Sequence, residues 1–588
     1  MKQFFKMVFA SMFGVFIAFM LMSLLGFLFF VGMFVSLDSE SKAVYTPRAN
    51  ESVFKLSLAG VMYEEAEDNP LSVILGGEST LSLKDILASI RNAKDQSTVK
   101  GIYLDVGLLF TGTANVDVIR RALIDFKESG KFIVAYADNY TQAGYYLASV
   151  ADEMYLNPLG TLGLTGFSSQ TMFYKGLLEK AGIEMMVFKV GKYKGAVEPF
   201  IADQLSDENR EQITMYQRGI WNNIVDGIAK SRKIPASDIN HFADEGFVFA
   251  DPKNAAECGL IDALKYRSEV EEIIMGKANQ IGESLITIEL SKMKRAKKFV
   301  RDYRNKIAVI YAEGEITTVQ PSYSNSNTIT EKLADELRKL KDDEQVKAVV
   351  MRVNSPGGSA YVSEQIWKQV VELKKSKPVV VSMGNVAASG GYYIACGADK
   401  IVAEANTLTG SIGIFGMFPN ASGLFDKLAL TTDVVKTNEF ADLGDISRPM
   451  TPDEMTLIQS YIERGYDVFL TRCAEGRNMS KEAIDSIGQG RVWTGSQACE
   501  LGLVDELGGI DRAVELAAEI AKIVNYTTIN VSTATNFFQD FLEKQLENTK
   551  TSIVRNWLGE EYEYFKTLQQ IKSTSGIQAR IPYDLRPL

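Results

Sequence analysis

Apolar and polar residues along the chain follow two periods that alternate. Residues 81–94 place apolar side chains at 83, 86, 87 and 90, one face of a helix. Gly101–Val106 reads as a strand, Val116–Glu128 as a helix and Phe132–Ala137 as the next strand. Ser52–Met62 precedes them as a first strand. Ile183–Val190 follows as another, and Asp207–Lys230 predicts a long helix. Strands alternating with helices argue for βα units, parallel pairing and an α/β class. The same order then returns, with strands at Ile307–Ile316, Val346–Val353 and Val379–Met383 and a helix at Ser363–Lys374.

The return is a repeat. FIVAYADNYTQAGYYLASVAD (132–152) and VVVSMGNVAASGGYYIACGAD (379–399) share Gly-Tyr-Tyr and Ala-Asp; Gly391 lies 247 positions after Gly144, and Asp399 lies 247 after Asp152. The same offset pairs Lys94-Asp95 with Lys341-Asp342, Val99-Lys100 with Val346-Lys347 and Gly163 with Gly410, so the chain is a tandem duplication. FVFADPKNAAECGLIDAL and VWTGSQACELGLVDEL echo each other further on, displaced by a small deletion. The expected division is a terminal stub, anchor and linker start at 1–45, an N-terminal half at 46–290, a C-terminal half at 291–525 and a helical extension at 526–588. Within that extension Phe537–Lys550 and Arg555–Ile571 have amphipathic helical spacing. The basic run KMKRAKKFVRDYRNK between the halves reads as a solvated connector helix.

From Met7 to Leu37 no residue is charged, more than the ~20 residues that cross a bilayer. Lys2 and Lys6 precede this stretch, and Asp38 and Glu40 follow it. It reads as an uncleaved transmembrane helix with the N-terminus in the cytoplasm and the remainder outside. The lipid bilayer is thus one expected partner, through residues 7–37.

Composition narrows the chemistry. The net charge of −11 gives no basic footprint for nucleic acid. The chain of 588 residues has a single histidine, His241, in NHFADEGF, which excludes multi-histidine zinc sites and reads as a surface or capped residue. Cys258, Cys396, Cys473 and Cys499 have no metal-like spacing, and Cys396 reads as core.

Residues present in only one copy are the candidates for function. Ser389, at a tight strand-to-helix turn, faces Gln142 at the repeat offset. Such a serine reads either as an N-cap or as an exposed nucleophile beside unpaired backbone N–H groups. Lys194 faces Ala441, whereas Lys189 faces another lysine, Lys436. One site assembled at the seam between the halves explains both asymmetries. A deprotonated lysine can take the serine proton and hand it to a leaving amine, provided an apolar pocket lowers its affinity for protons by roughly 2–3 pH units. Taken alone, Lys194 also reads as a surface lysine. Asn354-Ser355-Pro356-Gly357-Gly358 is a third one-sided element, against Gly107-Leu108-Leu109-Phe110-Thr111 in the first half. The N–H groups of Gly358 and Gly390 suit an oxyanion hole, where a donor is worth about 3–4 kcal/mol; an ordinary turn is the alternative. Ser411 in LTGSIGI faces Leu164 and is placed either to orient Lys194 or as a loop hydroxyl.

At RVNSPGGS (352–359), GNVAASGGYYIA (384–395), LTGSIGI (408–414) and KVGKYKGAVEPF (189–200) the chain resembles the signal peptide peptidase A family in its long tandem-repeat form. The resemblance implies a duplicated ClpP/crotonase-like βα superhelical domain behind one transmembrane helix. By position it implies Ser389 as nucleophile, Lys194 as general base, Gly358 and Gly390 as oxyanion donors and Ser411 as the lysine-orienting residue. It further implies a cofactor-free and metal-free serine endopeptidase, assembled as a homotetramer on the outer (periplasmic) face of the bacterial inner membrane. Its expected substrates are signal peptides left after preprotein processing and similar apolar peptides. Two rivals are a crotonase-type acyl-CoA enzyme, which needs no Ser389–Lys194 pair, and a non-catalytic membrane scaffold. Residues 526–588 match nothing in the resemblance.

Overall fold

The computed structural model describes residues 6–7, 10–26, 44–65, 80–296, 303–318, 328–531 and 576–580. In the first half, strands Val53–Tyr63, Gly101–Phe110, Phe132–Ala137 and Glu153–Leu156 lie side by side, all parallel. In the second, Lys306–Glu313, Val346–Ser355 and Val379–Ala388 repeat the arrangement. These strands are nearly continuous runs of Val, Ile and Ala because helices cover both faces of the sheet, so there is no polar face to alternate with. Each half packs its own core. Phe54, Leu56, Leu104 and Ile133 belong to the first; Val349, Met351, Val381 and Ile394 belong to the second.

The expected strands and helices are present, with ends moved by a few residues. Ser82 caps helix Leu83–Asp95 by accepting from the Asp85 N–H, so that helix starts two residues late. The connector differs more: among its described residues Leu290–Met293 alone is helical, and residues 297–302 lie outside the described set. In the terminal extension the described residues form two strands, Thr527–Val531 and Gly576–Arg580. The first joins the C-terminal sheet beside Lys306–Glu313, so that sheet continues past residue 525. Phe537–Lys550 and Arg555–Ile571 lie outside the described residues.

At the N-terminus, residues 10–26 are helical and exposed. Among the described residues no helix is long and apolar enough to cross a membrane, and residues 27–37 of the expected anchor lie outside them.

A third sheet joins the halves. Its order is Thr328–Ile329, Glu315–Ile316, Gly357–Ser359, Gly576–Arg580, Phe415–Asn420 and Glu184–Lys189. Glu184–Lys189 belongs to the first half yet pairs antiparallel with Phe415–Asn420 of the second, Lys189 opposite Phe415. A buried ion pair adds to this seam. Arg352, 1 % exposed, donates from Nε and Nη2 to the Glu64 carboxylate at 3.0 and 3.1 Å. Its Nη1 donates to Ser382 Oγ and the Met383 carbonyl. Burying a guanidinium this far is tolerable only with its donors satisfied, and here both halves supply acceptors.

Candidate active site

The strand Glu184–Lys189 delivers the segment that follows it into the second half. There Tyr193 N–H donates to the Gln489 carbonyl at 2.9 Å, and Gln212 Nε2 donates to the Tyr193 carbonyl at 2.9 Å. The Gln212 side-chain oxygen accepts from the Val492 N–H at 3.0 Å, which ties helix Asp207–Arg232 to the same loop. Arg491 donates to the Tyr193 hydroxyl and lies over the rings of Tyr193 and Trp493, 4.6 and 4.5 Å from their centroids.

Lys194, the next residue, is fully buried. Its Nζ lies 2.8 Å from Ser389 Oγ, 3.1 Å from Ser411 Oγ and 3.2 Å from the Ser411 carbonyl oxygen. Burial pushes its pKa well below the usual lysine value, with no carboxylate among the causes to offset it. A neutral amine has two N–H donors and one lone pair. The two Ser411 oxygens take the donors and the Ser389 hydroxyl can donate to the lone pair, so the neutral form is fully satisfied here.

Ser389 ends strand Val379–Ala388 and begins helix Gly390–Cys396. Its φ of 56° and ψ of −114° are unusual for a residue with a side chain, at a cost of roughly 1–3 kcal/mol. The backbone is held by Ser389 N–H donating to the Gly410 carbonyl and Tyr393 N–H donating to the Ser389 carbonyl, both at 2.8 Å. The side chain makes no cap hydrogen bond, so the N-cap alternative does not describe it. Its hydroxyl turns instead to Lys194. Ser411, also at positive φ, is buried and its N–H donates to the Arg491 carbonyl at 2.6 Å.

The Pro-Gly-Gly segment runs beside this turn. Gly357 and Gly358 have φ of 98° and 149°, and a methyl group on Gly358 would come within 2.0 Å of the Ile316 carbonyl oxygen. Only glycine fits such a conformation at such a separation. A methyl on Gly357 would lie 2.7 Å from the Gly390 nitrogen, which places this strand directly against the first turn of the helix after Ser389.

All five candidate residues therefore lie at one place, where a serine, a buried amine and a glycine-lined strand meet. The remaining candidates stay apart from it. His241 lies on helix Ala236–Asp244, 62 % exposed at its side chain and 3.5 Å from Glu245. Cys396 is core. Among the described residues no cluster of three or more His, Cys, Asp or Glu is arranged to hold a metal ion.

A family model described as "Peptidase family S49" matches residues 125–280 and again 371–524, and one described as "Clp protease" matches 302–409. The chain belongs to peptidase family S49. The S49 match falls once in each half, as the internal repeat requires. "Protease 4" of Haemophilus influenzae is 35 % identical over 560 residues, covering 91 % of this chain and 88 % of that protein. "Protease 4" of Salmonella typhi is 37 % identical over 514 residues, covering 84 % and 82 %. "Putative signal peptide peptidase SppA" of Enterococcus faecium is 32 % identical over 313 residues, covering 53 % of this chain but 85 % of its own length. The S49 chain described here is thus about twice the span it shares with that shorter relative.

Several residues at the site went unmarked in the sequence. Gly490, at φ 79°, packs on the Lys194 backbone, where a methyl group would come within 2.7 Å of the Lys194 nitrogen. Gly413 lies against the Lys194 side chain. The Gly-Gln-Gly at 488–490 was the available signal, but nothing local ties it to a lysine almost 300 positions earlier. Arg352 carried a clearer one, a single charge inside the apolar run AVVMRV, which demands a buried partner.

Proposed function

We propose that this S49 chain is a membrane-anchored serine endopeptidase with a Ser389–Lys194 dyad. Its substrates are residual signal peptides and similar apolar peptides, and it needs neither metal nor cofactor. What carries the reading is the 2.8 Å contact between Ser389 Oγ and the buried Lys194 amine, whose affinity for a proton burial lowers. Ser389 Oγ attacks the scissile carbonyl carbon as its proton passes to Lys194 Nζ. The N–H groups of Gly358 and Gly390 receive the oxyanion. Collapse breaks the C–N bond, and Lys194 gives its proton to the leaving amine. Water then attacks the acyl ester, its proton goes to Lys194, and the proton returns to Ser389. Ser411 holds the two amine hydrogens so that the lone pair faces Ser389.

Residues 7–37 are the bilayer anchor, with the N-terminus inside and the peptidase on the outer (periplasmic) face of the bacterial inner membrane. The chain assembles as a homotetramer. The internal repeat supports assembly: Glu184–Lys189 pairs with Phe415–Asn420, and the counterparts one repeat away are 431–436 and 168–173. Neither counterpart is a strand within this chain, and Val435 and Met172 on them are 98 % and 68 % exposed. Pairing between copies gives each the partner its equivalent already has.

Hydrolysis of an apolar, signal-peptide-like fluorogenic peptide by the detergent-solubilised chain tests the dyad. Ser389→Ala and Lys194→Ala should each lower kcat by about 10⁴-fold or more. Near-wild-type turnover by a folded Lys194→Ala chain would remove the lysine from the mechanism.

A further inference from the structure

The turn at 488–491 holds the Lys194 segment and Ser411 together. The Gln489 carbonyl accepts from the Tyr193 N–H at 2.9 Å, and the Arg491 carbonyl accepts from the Ser411 N–H at 2.6 Å. Gly490 lies against the Lys194 backbone, and its N–H donates to the Ile412 carbonyl at 2.8 Å. Gln489 and Gly490 are both left-handed, at φ 54° and 79°. A residue with a side chain keeps such a conformation only where its surroundings fix it. Tyr466, 6 % exposed on helix Pro452–Arg477, and Asp485, on helix Lys481–Ile487, supply that support. The Tyr466 hydroxyl accepts from the Gln489 N–H at 3.2 Å and donates to Asp485 Oδ1 at 2.5 Å. The same carboxylate oxygen accepts from Gln489 Nε2 at 2.5 Å. Burial and the Asp485 carboxylate push the Tyr466 pKa up, so the phenol keeps the proton it donates.

The repeat supplies a comparison. Helices Asp207–Arg232 and Pro452–Arg477 each have 26 residues and begin 245 positions apart. At that offset Tyr466 and Asp485 face Trp221 and Asn240. Trp221 Nε1 donates to Asn240 Oδ1 at 2.7 Å, so a contact between these two positions is common to both halves and serves the fold. An indole N–H only donates, whereas a phenol donates and accepts at once. The acceptor that holds Gln489 is thus present in one copy alone, the copy that carries the nucleophile.

We infer that Tyr466 and Asp485 are positioning residues of the peptidase reaction, holding the turn 488–491 so that Lys194 Nζ stays aimed at Ser389 and closed off from water. The inference rests on the dyad reading above and deepens it, because it names what keeps the base in place. Without the phenol oxygen the Gln489 N–H loses its acceptor, and the anchors at Tyr193 and Ser411 loosen with the turn. Ser389 and Ser411 supply the polar groups at the amine. The charged groups on its own segment and on the elements beside it are Lys192, Glu198, Glu211, Arg491 and Asp485, with Arg491 paired to Glu211 at 2.9 Å. Burial, not a neighbouring charge, lowers the Lys194 pKa. Water admitted by a loosened turn therefore raises it back toward 10.5, and a base that works in its neutral form then needs a higher pH.

The test follows steady-state hydrolysis of an apolar fluorogenic peptide by the full detergent-solubilised chain as a function of pH. Tyr466→Phe should lower kcat about tenfold at neutral pH with KM within about twofold, and should move the acid limb of kcat up by about one pH unit. Asp485→Asn keeps an oxygen that accepts from Tyr466 and Gln489, and should retain most of the activity that Asp485→Leu loses. Trp221→Phe removes the equivalent contact in the other half and should lower the melting temperature while leaving the limb in place. An unmoved limb in Tyr466→Phe, or one that moves equally in Trp221→Phe, would overturn the inference. A second measurement is independent of catalysis. In a Ser389→Ala chain, amide hydrogen exchange across residues 192–196 should quicken about tenfold when Tyr466→Phe is added, because these amides open with the turn. If no form cleaves any peptide while exchange quickens, the anchoring stands and the dyad reading fails. If peptides are cleaved while exchange and limb both stay unchanged, the dyad stands and the inference is wrong.

Discussion

Replacing Lys194 by methionine should change how stability depends on pH in a direction that follows from burial alone. Lys194 is fully enclosed, and desolvation holds its pKa well below the usual 10.5. Between that lowered value and the ordinary one, the unfolded chain carries a proton at this position that the folded chain does not. Stability rises with pH wherever the unfolded state binds more protons, so Lys194 destabilises the fold increasingly as pH falls through this window. The full difference of one proton corresponds to about 1.4 kcal/mol per pH unit. Methionine fills a similar volume with no titrating group. It also deprives Ser389 and Ser411 of a partner, a cost of about 1–3 kcal/mol that does not vary with pH. The slope therefore carries the test and the offset does not. Melting temperatures of both chains between pH 8 and 9.5 provide the assay. The wild type should gain about 3–6 °C per pH unit relative to Lys194→Met, taking about 2–4 °C per kcal/mol for domains of this size. Every other titrating group cancels in the difference. Parallel curves would refute the claim that the buried amine is neutral.

Three further outcomes follow from the packing around the site. Glu64→Ala strands the Arg352 guanidinium in the seam and should cost about 3–5 kcal/mol in denaturant unfolding, whereas Glu64→Leu combined with Arg352→Met should recover most of it. Gly490→Ala forces a methyl group onto the Lys194 backbone at positive φ. Moving the amine by an ångström should lower kcat by up to about 100-fold with KM nearly unchanged, read in steady-state peptide hydrolysis. Val435→Glu places a charge on the exposed segment 431–436 and should shift the assembly to smaller species in light scattering, with the monomer's melting transition unmoved.

Much of the architecture was legible because it is local. The runs at 101–106, 346–353 and 379–383 are largely apolar and buried, so their apolar continuity marked them as strands without any neighbour in view. The repeat offset exposed the asymmetry of Ser389 and Lys194, since one copy supplied a built-in control for the other. The connector was harder to read: the charge in KMKRAKKF is compatible with helix, yet among the described residues of that run only those within Leu290–Met293 are helical. The strands at 527–531 and 576–580 depend on distant partners, the first on the edge beside Lys306–Glu313 and the second on the gap between Gly357–Ser359 and Phe415–Asn420.

The sequence by itself determined two duplicated α/β halves, an uncharged N-terminal stretch, and a serine and a lysine each present in one copy. Tertiary structure alone decided that Glu184–Lys189 crosses into the other half's sheet and that its following lysine arrives 2.8 Å from the serine. It likewise decided that Arg352 meets Glu64 across the seam, and that a terminal strand closes over the glycines. The division is physical. Periodicity records which residues meet water within one element. Contacts between residues some 195 positions apart depend on how whole sheets dock, and that leaves no period in the chain.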